Sequence, residues 1–218
     1  MRIVSWNVAR KALWPHAFAL RPAIAVLQEA PPVPTDDHRL PHRLEDSARG
    51  IAIASLYPLT VIAAPAPSCL AALVHGPEGS FALVAICSRR PKNGGSYNVV
   101  NRAAIEWIAE RLPKSGNAIF AGDFNASAAF DHRYPALSHS TNVAHLAKLG
   151  FSSSLHAAAG IQHGAEPMRY ITFRRVQRGK LQAFTIDHVF SRGFVIEAAL
   201  VGDARGSDHS PVIVDLGY

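Results

Sequence analysis

The segment Asn117-Ala-Ile-Phe-Ala-Gly-Asp-Phe-Asn125 places a short apolar run directly before two polar side chains. The run Asn117–Ala121 predicts a buried β-strand, because a short apolar stretch bounded by glycine is typical of one. Asp123 and Asn125 then follow at the end of that strand. Strand ends are rigid and can aim side chains at a common point, so the segment predicts a packed sheet with a functional edge.

Other apolar strands carry unusual polar residues near their ends in the same way. These residues are Asn7 after Ile3–Trp6, Glu29 after Ala25–Gln28, Asp187 late in Phe184–Phe190, and Asp208 and His209 before Pro211–Val214. Taken singly, each has an ordinary structural explanation as a turn, cap or solvated loop residue. Taken together, their shared position favours one common site.

The remaining sequence indicates more strands than helices. The helix Tyr97–Leu112 is the clearest, because Val100, Ala104, Trp107 and Ile108 recur at three-to-four-residue spacing. Shorter helices are predicted around His16–Leu20 and over Asn142–Leu149. The remaining strands are predicted over Arg2–Trp6, Ala23–Leu27, Gly50–Leu56, Leu59–Ala63, Cys69–His75, Phe81–Cys87, Tyr170–Arg174, Leu181–Phe190, Phe194–Val201 and Pro211–Leu216. This pattern predicts an α/β fold with two sheets packed face to face and helices outside.

The composition sets limits on the class of protein. A chain of 218 residues suits one domain, here residues 1–218. Two cysteines exclude a disulfide framework and a four-cysteine zinc site. No apolar run reaches the ~18 residues of a membrane span, so no membrane association is expected. Because Met1–Val8 contains a predicted strand, we expect no signal peptide and a cytoplasmic location.

The charge balance indicates a polyanionic partner. The formal net charge is +6, and 17 of the 22 cationic residues are arginines. Arginine binds phosphate in a bidentate manner that lysine cannot match. A solubility role for the charge, with an arginine-rich composition, is an equally compatible explanation.

The polar residues at the strand ends suit metal-assisted attack on a phosphodiester. Mg²⁺ prefers oxygen ligands, which Glu29, Asp208 and the amide oxygen of Asn7 could supply. His209 and Asn125 could stabilise charge on the phosphate, and Asp187 could fix the tautomer of His209. Asp123 could orient or deprotonate the attacking water. No Cys/His group has the spacing of a zinc site.

Five motifs resemble, in order, those of the endonuclease/exonuclease/phosphatase superfamily, which includes exonuclease III-like apurinic endonucleases and DNase I. They are Ser5-Trp-Asn-Val8, Leu27-Gln-Glu29, Gly122-Asp-Phe-Asn125, Ile186-Asp-His-Val189 and Ser207-Asp-His-Ser-Pro211. The resemblance runs from residue 3 to about residue 216. It implies a four-layer, DNase I-like α/β sandwich and phosphoester hydrolysis that depends on Mg²⁺ or Mn²⁺.

The resemblance also implies a role for each matching residue. Asn7, Glu29 and Asp208 resemble metal-site residues. Asp123 resembles the residue that activates water, and Asn125 its phosphate-orienting partner. The remaining matches are Asp187, which resembles the partner of the final histidine, and His209, which resembles the histidine that stabilises the transition state.

One position departs from the family pattern. The family usually has His or Tyr at the end of the strand before the central helix, where this chain has Cys87. A thiol donates only weakly, so either Arg89 or Arg90 contacts the phosphate or the activity is reduced. A hairpin turning at Gly76–Gly79 would place Cys69 nearly opposite Cys87. We expect two ordinary buried thiols, with a redox-sensitive pair as the alternative.

Two basic segments favour nucleic acid as the substrate. We predict that Arg89–Lys92 and Arg174–Lys180 are loops beside the site, with Arg89, Arg90, Arg174, Arg175 and Arg178 binding phosphates. Ala9-Arg10 follows the first motif without the acidic residue of apurinic endonucleases. The expected protein is therefore a rather nonspecific, monomeric nuclease that needs no protein partner.

Other functions remain possible at this point. They are a small-molecule phosphodiesterase or phosphatase of the same superfamily, and a catalytically weakened member that binds nucleic acid. A serine hydrolase is set aside, because the sequence has no Gly-x-Ser-x-Gly nucleophile motif.

Overall fold

A computed structural model describes residues 1–62, 68–91, 94–111 and 116–218 of the protein. Ala63, Lys92, Leu112 and Pro113 fall outside the described residues. The strands are β1 (Arg2–Asn7), β2 (Ile24–Gln28), β3 (His42–Asp46), β4 (Ile51–Ser55), β5 (Leu59–Ile62), β6 (Cys69–Gly76), β7 (Gly79–Cys87), β8 (Ala118–Asp123), β9 (Ser152–Ser153), β10 (Phe173–Gln177), β11 (Lys180–Phe184), β12 (Asp187–Arg192), β13 (Val195–Val201) and β14 (Val212–Gly217). The α-helices are α1 (Trp14–Ala19), α2 (Tyr97–Arg111), α3 (His139–Lys148) and α4 (Ser154–Ala159), and two 3₁₀ helices cover Ala128–Arg133 and Met168–Tyr170.

The strands form two larger sheets and a separate hairpin. The first sheet has the order β13-β14-β1-β2-β4-β3, and the second has the order β5-β6-β7-β8-β12-β9. Both sheets are mixed, because β1 runs parallel to β2 and β7 runs parallel to β8, whereas the other pairs are antiparallel. The hairpin β10–β11 pairs with neither sheet.

Alternation along β2 shows how the layers are built. Ile24 and Val26 enter the apolar cluster that fills the space between the two sheets. Ala25 and Leu27 point the opposite way and pack in a cluster that includes Trp14 of α1. Because successive strand residues point to opposite faces, one strand contributes to two layers.

The second sheet is sandwiched in the same way. Ile119 and Ala121 of β8 face the first sheet, whereas Phe120 packs outward in a cluster that contains Ile105 of α2 and Leu146 of α3. The helices therefore cover the outer faces of both sheets. The predicted four-layer α/β sandwich is confirmed.

The helix α2 is present as predicted, but its buried face is only partly the predicted one, because Ala104 and Ile108 are buried whereas Val100 and Trp107 are half-buried. Its buried residues include Asn98 and Asn101 as well as Ala104, Ile105 and Ile108. The Asn101 side chain donates a hydrogen bond of 2.9 Å to the carbonyl of Phe124. Polar residues occupy this face because they satisfy loop backbone groups, which an apolar spacing pattern cannot predict. No helix among the described residues is long and apolar enough to cross a membrane.

The region around residues 174–190 differs from the prediction. The segment Arg174–Lys180, predicted as a basic loop, forms most of the hairpin β10–β11. The single strand predicted over Leu181–Phe190 is two strands, β11 and β12. Phe184 pairs with Phe173 of the hairpin, whereas Asp187 pairs with Asp123 of the second sheet. The strand is therefore interrupted between Phe184 and Asp187.

The two cysteines lie on neighbouring strands but not in register. Cys69 pairs with Ile86, one position before Cys87. Cys87 belongs to the cluster between the sheets, and Cys69 belongs to the cluster beneath α2. Both thiols are free and buried. Cys69 therefore lies nearly opposite Cys87 along the paired strands, as predicted, but the two side chains point to opposite faces of the sheet.

Gly122 is required by the close approach of β7 and β8. Its φ is +150°, and a Cβ atom built there would lie 1.9 Å from the carbonyl oxygen of Ile86. Only glycine avoids this contact. The motif Gly122-Asp123 therefore combines a packing requirement with the placement of the carboxylate that follows.

Candidate active site

At one end of the sandwich, three strands carry polar side chains that point into the space between the two sheets. Asn7 is the last residue of β1, two residues after the buried Ser5, and Asp123 is the last residue of β8, two residues after the inward-facing Ala121. Asp187 begins β12 and pairs in register with Asp123. Because side chains two residues apart share a face, all three enter the space between the sheets. The Nδ2 atom of Asn7 lies 3.0 Å from Oδ2 of Asp123.

Asp123 accepts several hydrogen bonds in this buried space. Its Oδ1 accepts from the backbone N–H of Asn125 at 2.8 Å. Its Oδ2 accepts from the side chains of Asn125 at 2.9 Å and Asn7 at 3.0 Å. Burial and the nearby negative charge of Asp187 raise the pKa of Asp123 to about 7, although His209 and these hydrogen bonds act in the opposite direction. A carboxyl with this pKa can exchange a proton near neutral pH.

His209 is fixed by contacts on several sides. Its Nδ1 lies 2.8 Å from Oδ2 of Asp187. Its backbone carbonyl accepts a hydrogen bond of 2.9 Å from the indole of Trp6, and its ring contacts Phe173 edge-on with centroids 5.0 Å apart. Burial by itself lowers the pKa of His209, but the charge and hydrogen bond of Asp187 outweigh it and raise the pKa to about 9. The imidazole is therefore held as a cation at neutral pH.

The loop before His209 is tied to the end of β1. The hydroxyl of Ser207 donates to the carbonyl of Asn7 at 2.8 Å and accepts from the backbone N–H of His209 at 3.1 Å. Asp208 lies between these anchored residues, half-buried, and its charge contributes to the raised pKa of His209. The loop thus brings both Asp208 and His209 to the end of the sheet where Asn7 lies.

Glu29 joins the group through Asn7. Its Oε1 accepts a hydrogen bond of 3.3 Å from Nδ2 of Asn7, and its Oε2 lies 3.8 Å from Nε of Arg10. The amide oxygen of Asn7, expected to face a metal, instead accepts from the backbone N–H of Ala9 at 3.0 Å. In this arrangement Asn7 presents its N–H groups to the two carboxylates.

The backbone is strained where the site residues leave their strands. Glu29 has φ +46° and Asn125 has φ +48°, both in the left-handed region that non-glycine residues rarely adopt. Such conformations persist only where surrounding contacts enforce them, and they cluster at functional sites. Asn125 also uses its side-chain N–H groups internally, because Nδ2 donates to the carbonyl of Ser88 at 3.0 Å as well as to Asp123.

Two depressions meet at Asn125. The first is a polar cleft, lined by Arg10, Glu29, Ala30, Pro31, Ser47, Gly50, Cys87, Ser88, Arg89 and Asn125. The second, called here the aromatic pocket, is lined chiefly by Tyr97, Phe130, Tyr134, Phe173 and Phe184, with Arg90 and Arg133 at its wall. Sequence reasoning missed this pocket, because its aromatic residues come from distant segments with no common spacing. Two of these rings, Phe173 and Phe184, are brought together by the hairpin β10–β11, which was itself not predicted.

The predicted phosphate-binding arginines occupy different environments. Arg89 donates to the carbonyls of Ala48 at 3.0 Å and Arg49 at 2.6 Å. The guanidinium of Arg90 lies 5.6 Å from the ring centroid of Tyr97, at the aromatic pocket. The structure therefore ties Arg89 to the protein at the wall of the polar cleft and leaves Arg90 exposed beside the pocket.

The arginines of the hairpin lie on two faces. Arg175 shares the face that carries Phe173 and Phe184, whereas Arg174 lies on the opposite face. The guanidinium of Arg174 donates to the carbonyl of Met168 at 2.5 Å. Arg178 lies at the tip of the hairpin with φ +51°. Of the three, the side chain of Arg175 faces the same way as the aromatic pocket.

Cys87 lies at the wall of the polar cleft, in register with Asp123 on the neighbouring parallel strand. Burial, together with the charges of Asp123 and Glu29, raises the pKa of the Cys87 thiol to about 12. The thiol is therefore neutral across the physiological range and offers only a weak hydrogen-bond donor.

Comparison with known proteins gives a family match and several similar folds. A sequence model of the Endonuclease/Exonuclease/phosphatase family matches residues 4–209. An AP endonuclease from Archaeoglobus fulgidus is 15% identical, with a TM-score of 0.72 and full coverage of both chains. The endonuclease domain of TRAS1, a telomere-specific non-LTR retrotransposon, is 20% identical, with a TM-score of 0.70 over 99% of this chain and 97% of that chain.

A further similar structure is TDP2 from D. rerio, complexed with a single-strand DNA product. It is 14% identical, with a TM-score of 0.69 over 100% of this chain and 99% of that chain. No curated protein matches the sequence. At these identities the likeness to solved structures shows the shared fold alone.

Proposed function

Because the chain belongs to the Endonuclease/Exonuclease/phosphatase family, we propose that it is a divalent-metal-dependent phosphodiester hydrolase that acts on DNA or RNA with little sequence preference. The observation that carries this proposal is the buried Asp187–His209 pair beside Asp123 at one end of the sandwich. The proposed catalytic unit is residues 1–218, acting as a monomer. The similar structures include an AP endonuclease and TDP2 with single-strand DNA, which is consistent with nucleic acid as substrate.

His209 is proposed to stabilise the charge that develops on the phosphate. Water attack on a phosphodiester places negative charge on the non-bridging oxygens, and a fixed cation lowers the energy of that state. Asp187 supplies both the orientation and the charge that keep the imidazole protonated. Nε2 of His209 is the ring nitrogen left available for the substrate, because Nδ1 is bound to Asp187.

Asp123 is proposed to orient the attacking water and accept its proton. The side chains of Asn7 and Asn125 hold its carboxylate in one position. A general base works best when its pKa lies near the working pH, which burial provides here. Asn125 then acts mainly by positioning Asp123, because its N–H groups are already used by Asp123 and Ser88.

The oxygen donors at the cleft fit a hard divalent cation. Mg²⁺ is usually bound by one or two carboxylates together with water and substrate phosphate. Glu29 is partly exposed in the polar cleft, and Asp208 is carried to the same end of the sheet by the anchored loop. The Oδ1 atom of Asp187 is also buried with no hydrogen-bond partner among the described residues. Glu29 and Asp208 are the proposed ligands, with Asn7 supporting Glu29, and Mg²⁺ or Mn²⁺ bound there would neutralise phosphate charge.

The aromatic pocket is proposed to take the base or sugar next to the scissile phosphate. Aromatic faces stack on any base, so such a pocket binds without strong sequence preference. Arg90 at its wall and the exposed Arg175 are proposed to neutralise flanking phosphates, with Arg89 at the polar cleft and Arg174 and Arg178 on the hairpin adding positive charge.

Cys87 favours a second candidate, a family member that binds nucleic acid but turns it over slowly. The residue replaces the usual His or Tyr with a buried, neutral thiol beside Asp123. In that case affinity for nucleic acid would remain while hydrolysis would be weak.

One assay separates the candidates. The purified protein is incubated with Mg²⁺ or Mn²⁺ and plasmid, single-stranded DNA, RNA, an abasic duplex or bis-p-nitrophenyl phosphate, with Asp123→Asn as the matched control. Metal-dependent cleavage of nucleic acid by the wild type alone supports the nuclease. Cleavage of the small diester alone supports a small-molecule phosphodiesterase, and tight DNA binding without turnover supports the weakened member. Equal activity in excess EDTA would reject the metal role.

A further inference from the structure

Four histidines and a glutamate form a second polar cluster on the outer face of the second sheet. His188 lies on β12 next to Asp187 but points outward, in the same direction as Phe190. His139 begins α3, His156 lies in α4, and His163 and Glu166 lie in the segment that follows α4. We name this group the histidine cluster. It lies behind the site proposed for phosphodiester hydrolysis and takes no part in it.

Three of these imidazoles converge within the span of a single metal ion. One nitrogen from each of His139, His163 and His188 lies within 4.8 Å of the others. The Nε2 atom of His139 and the Nδ1 atom of His163 are 3.3 Å apart. Three nitrogens each ~2.0–2.1 Å from a tetrahedral Zn²⁺ are separated by about 3.3 Å, so this pair already has the spacing of two ligands.

The ring positions agree with a three-histidine site. Ring centroids are 5.2 Å apart for His139 and His163, 4.7 Å for His139 and His188, and 5.9 Å for His163 and His188. Three imidazoles around one tetrahedral ion place their centroids about 5 Å apart, given the usual zinc–nitrogen distance. Small side-chain rotations would therefore bring the third nitrogen into the same sphere.

The hydrogen bond of His188 leaves its second ring nitrogen available, and a metal would displace the proton shared between His139 and His163. Nε2 of His188 lies 3.1 Å from the carbonyl of Ala126, so it must be the donor and Nδ1 keeps its lone pair. A ligating histidine commonly donates its other N–H to a backbone carbonyl in this way. The bond to Ala126 thus fixes both the tautomer and the orientation that a metal would need.

His156 has a supporting position instead. Its Nδ1 is bonded to the hydroxyl of Ser153 at 2.8 Å, and its Nε2 is bonded to Glu166 at 2.9 Å. Its ring stacks on His163 with centroids 3.5 Å apart. Both nitrogens of His156 are engaged, so Glu166 fixes the ring of His156, and that ring stacks on and supports His163.

We propose that His139, His163 and His188 bind one zinc-class divalent transition-metal ion, with water at the fourth position. Imidazole nitrogen suits Zn²⁺ and its neighbours, whereas Mg²⁺ prefers oxygen, so this site is distinct in chemistry from the proposed hydrolytic site. The ion would join α3 and the segment after α4 to β12. Spacing along the chain did not indicate the cluster, because 24 residues separate His139 from His163.

Metal binding can be measured directly on the full chain. Protein stripped with chelator is titrated with Zn²⁺ in Mg²⁺-free buffer, and bound metal is quantified after gel filtration by mass spectrometry. We expect about one tightly bound equivalent for the wild type and at least ~100-fold weaker binding for His163→Gln, which loses a ligand. His16→Ala, at an exposed histidine of α1, is the matched control and should bind as the wild type does.

The variants are chosen to keep the test decisive. His163 is only half-buried, so His163→Gln should fold, and circular dichroism checks this. Asp123→Asn should retain the zinc, since Asp123 lies on the inner face of the sheet, so an inactive enzyme would not bear on this proposal. Wild-type Zn²⁺ affinity in both His163→Gln and His139→Ala, or loss of Zn²⁺ in Asp123→Asn alone, would overturn the proposal.

Discussion

The Nδ1 atom of His209 lies 2.8 Å from Oδ2 of Asp187, between two side chains that are both almost fully buried. Asp187 begins β12 of the second sheet, whereas His209 lies in the loop that leads into β14 of the first sheet. The hydrogen bond between Asp187 and His209 therefore connects segments of the two sheets at the end of the sandwich where the candidate site lies. The negative charge of Asp187 also favours the protonated form of His209, whose pKa is raised to about 9.

The rate of hydrolysis should depend on pH in a bell-shaped manner. Below about 7 Asp123 is protonated and cannot accept a proton, and above about 9 His209 loses its charge. We therefore expect kcat/KM for bis-p-nitrophenyl phosphate to be greatest between these values. In Asp187→Asn the alkaline limb should move to lower pH, because the charge that raises the pKa of His209 is gone. An alkaline limb that does not move would exclude His209 as its origin.

Loss of either central side chain should reduce turnover strongly. His209→Ala removes the cation and Asp123→Asn removes the proposed base, so each should lower kcat by at least ~100-fold. Asp203→Asn, at an exposed carboxylate in the same loop region as Asp208, should have little effect. Rates are measured with saturating Mg²⁺ or Mn²⁺. A variant that folds and turns over like the wild type would remove that residue from the mechanism.

Arg175 and Arg174 offer a matched pair on the two faces of one strand. Arg175→Ala should weaken binding to DNA about equally for all sequences and reduce the salt dependence of binding by about one phosphate contact. Arg174→Ala should have a smaller effect, because its side chain lies on the opposite face and is bonded to Met168. Affinities are measured by fluorescence anisotropy over a range of salt concentrations. Equal losses for both variants would mean that the hairpin contributes general charge only.

Cys69 and Cys87 should not form a disulfide in the native protein. Their side chains lie on opposite faces of the second sheet, and burial raises the pKa of each thiol to about 12. Treatment with diamide should therefore leave two titratable thiols after unfolding, and alkylation by iodoacetamide at neutral pH should be slow until denaturant is added. A crosslinked monomer under native conditions would contradict the described register.

Gly122→Ala should destabilise the fold severely. Its Cβ would meet the carbonyl oxygen of Ile86, and neither backbone can move without breaking the pairing of β7 with β8. We expect a loss of more than ~3 kcal/mol in the free energy of unfolding, or no soluble protein. Gly160→Ala is the control, because Gly160 has φ +64° with open space around it and should cost only about 1–2 kcal/mol. Urea unfolding compares the two.

The strands and the polar residues that end them could be predicted from the sequence because local pattern determines both. Short continuous apolar runs identify β1, β2 and β8, and the polar residue at the end of each run is conspicuous. Chemistry made Asp187 a possible partner of His209, since a carboxylate can fix the tautomer of an imidazole, and the family resemblance implied the same pairing. These inferences required only short segments and their order.

What the sequence could not predict depends on contacts between distant segments. The hairpin β10–β11 is rich in arginine, and its strand character comes from the pairing of Phe173 with Phe184 rather than from burial. The orientation of the Asn7 amide is set by the backbone of Ala9. The histidine cluster gathers residues from four separate segments, and no spacing rule links them.

The adjacency of Asp187 and His188 has a thermodynamic consequence. One peptide unit separates a side chain on the inner face of β12 from one on its outer face, so a displacement of this strand by a ligand at either proposed site would also move the residue at the other site. By thermodynamic linkage, the factor by which a bound transition metal would change the affinity for phosphate equals the factor by which bound phosphate would change the affinity for the metal. A transition metal at the proposed histidine site would thereby change how firmly the proposed nucleic-acid substrate is held at the other face of β12.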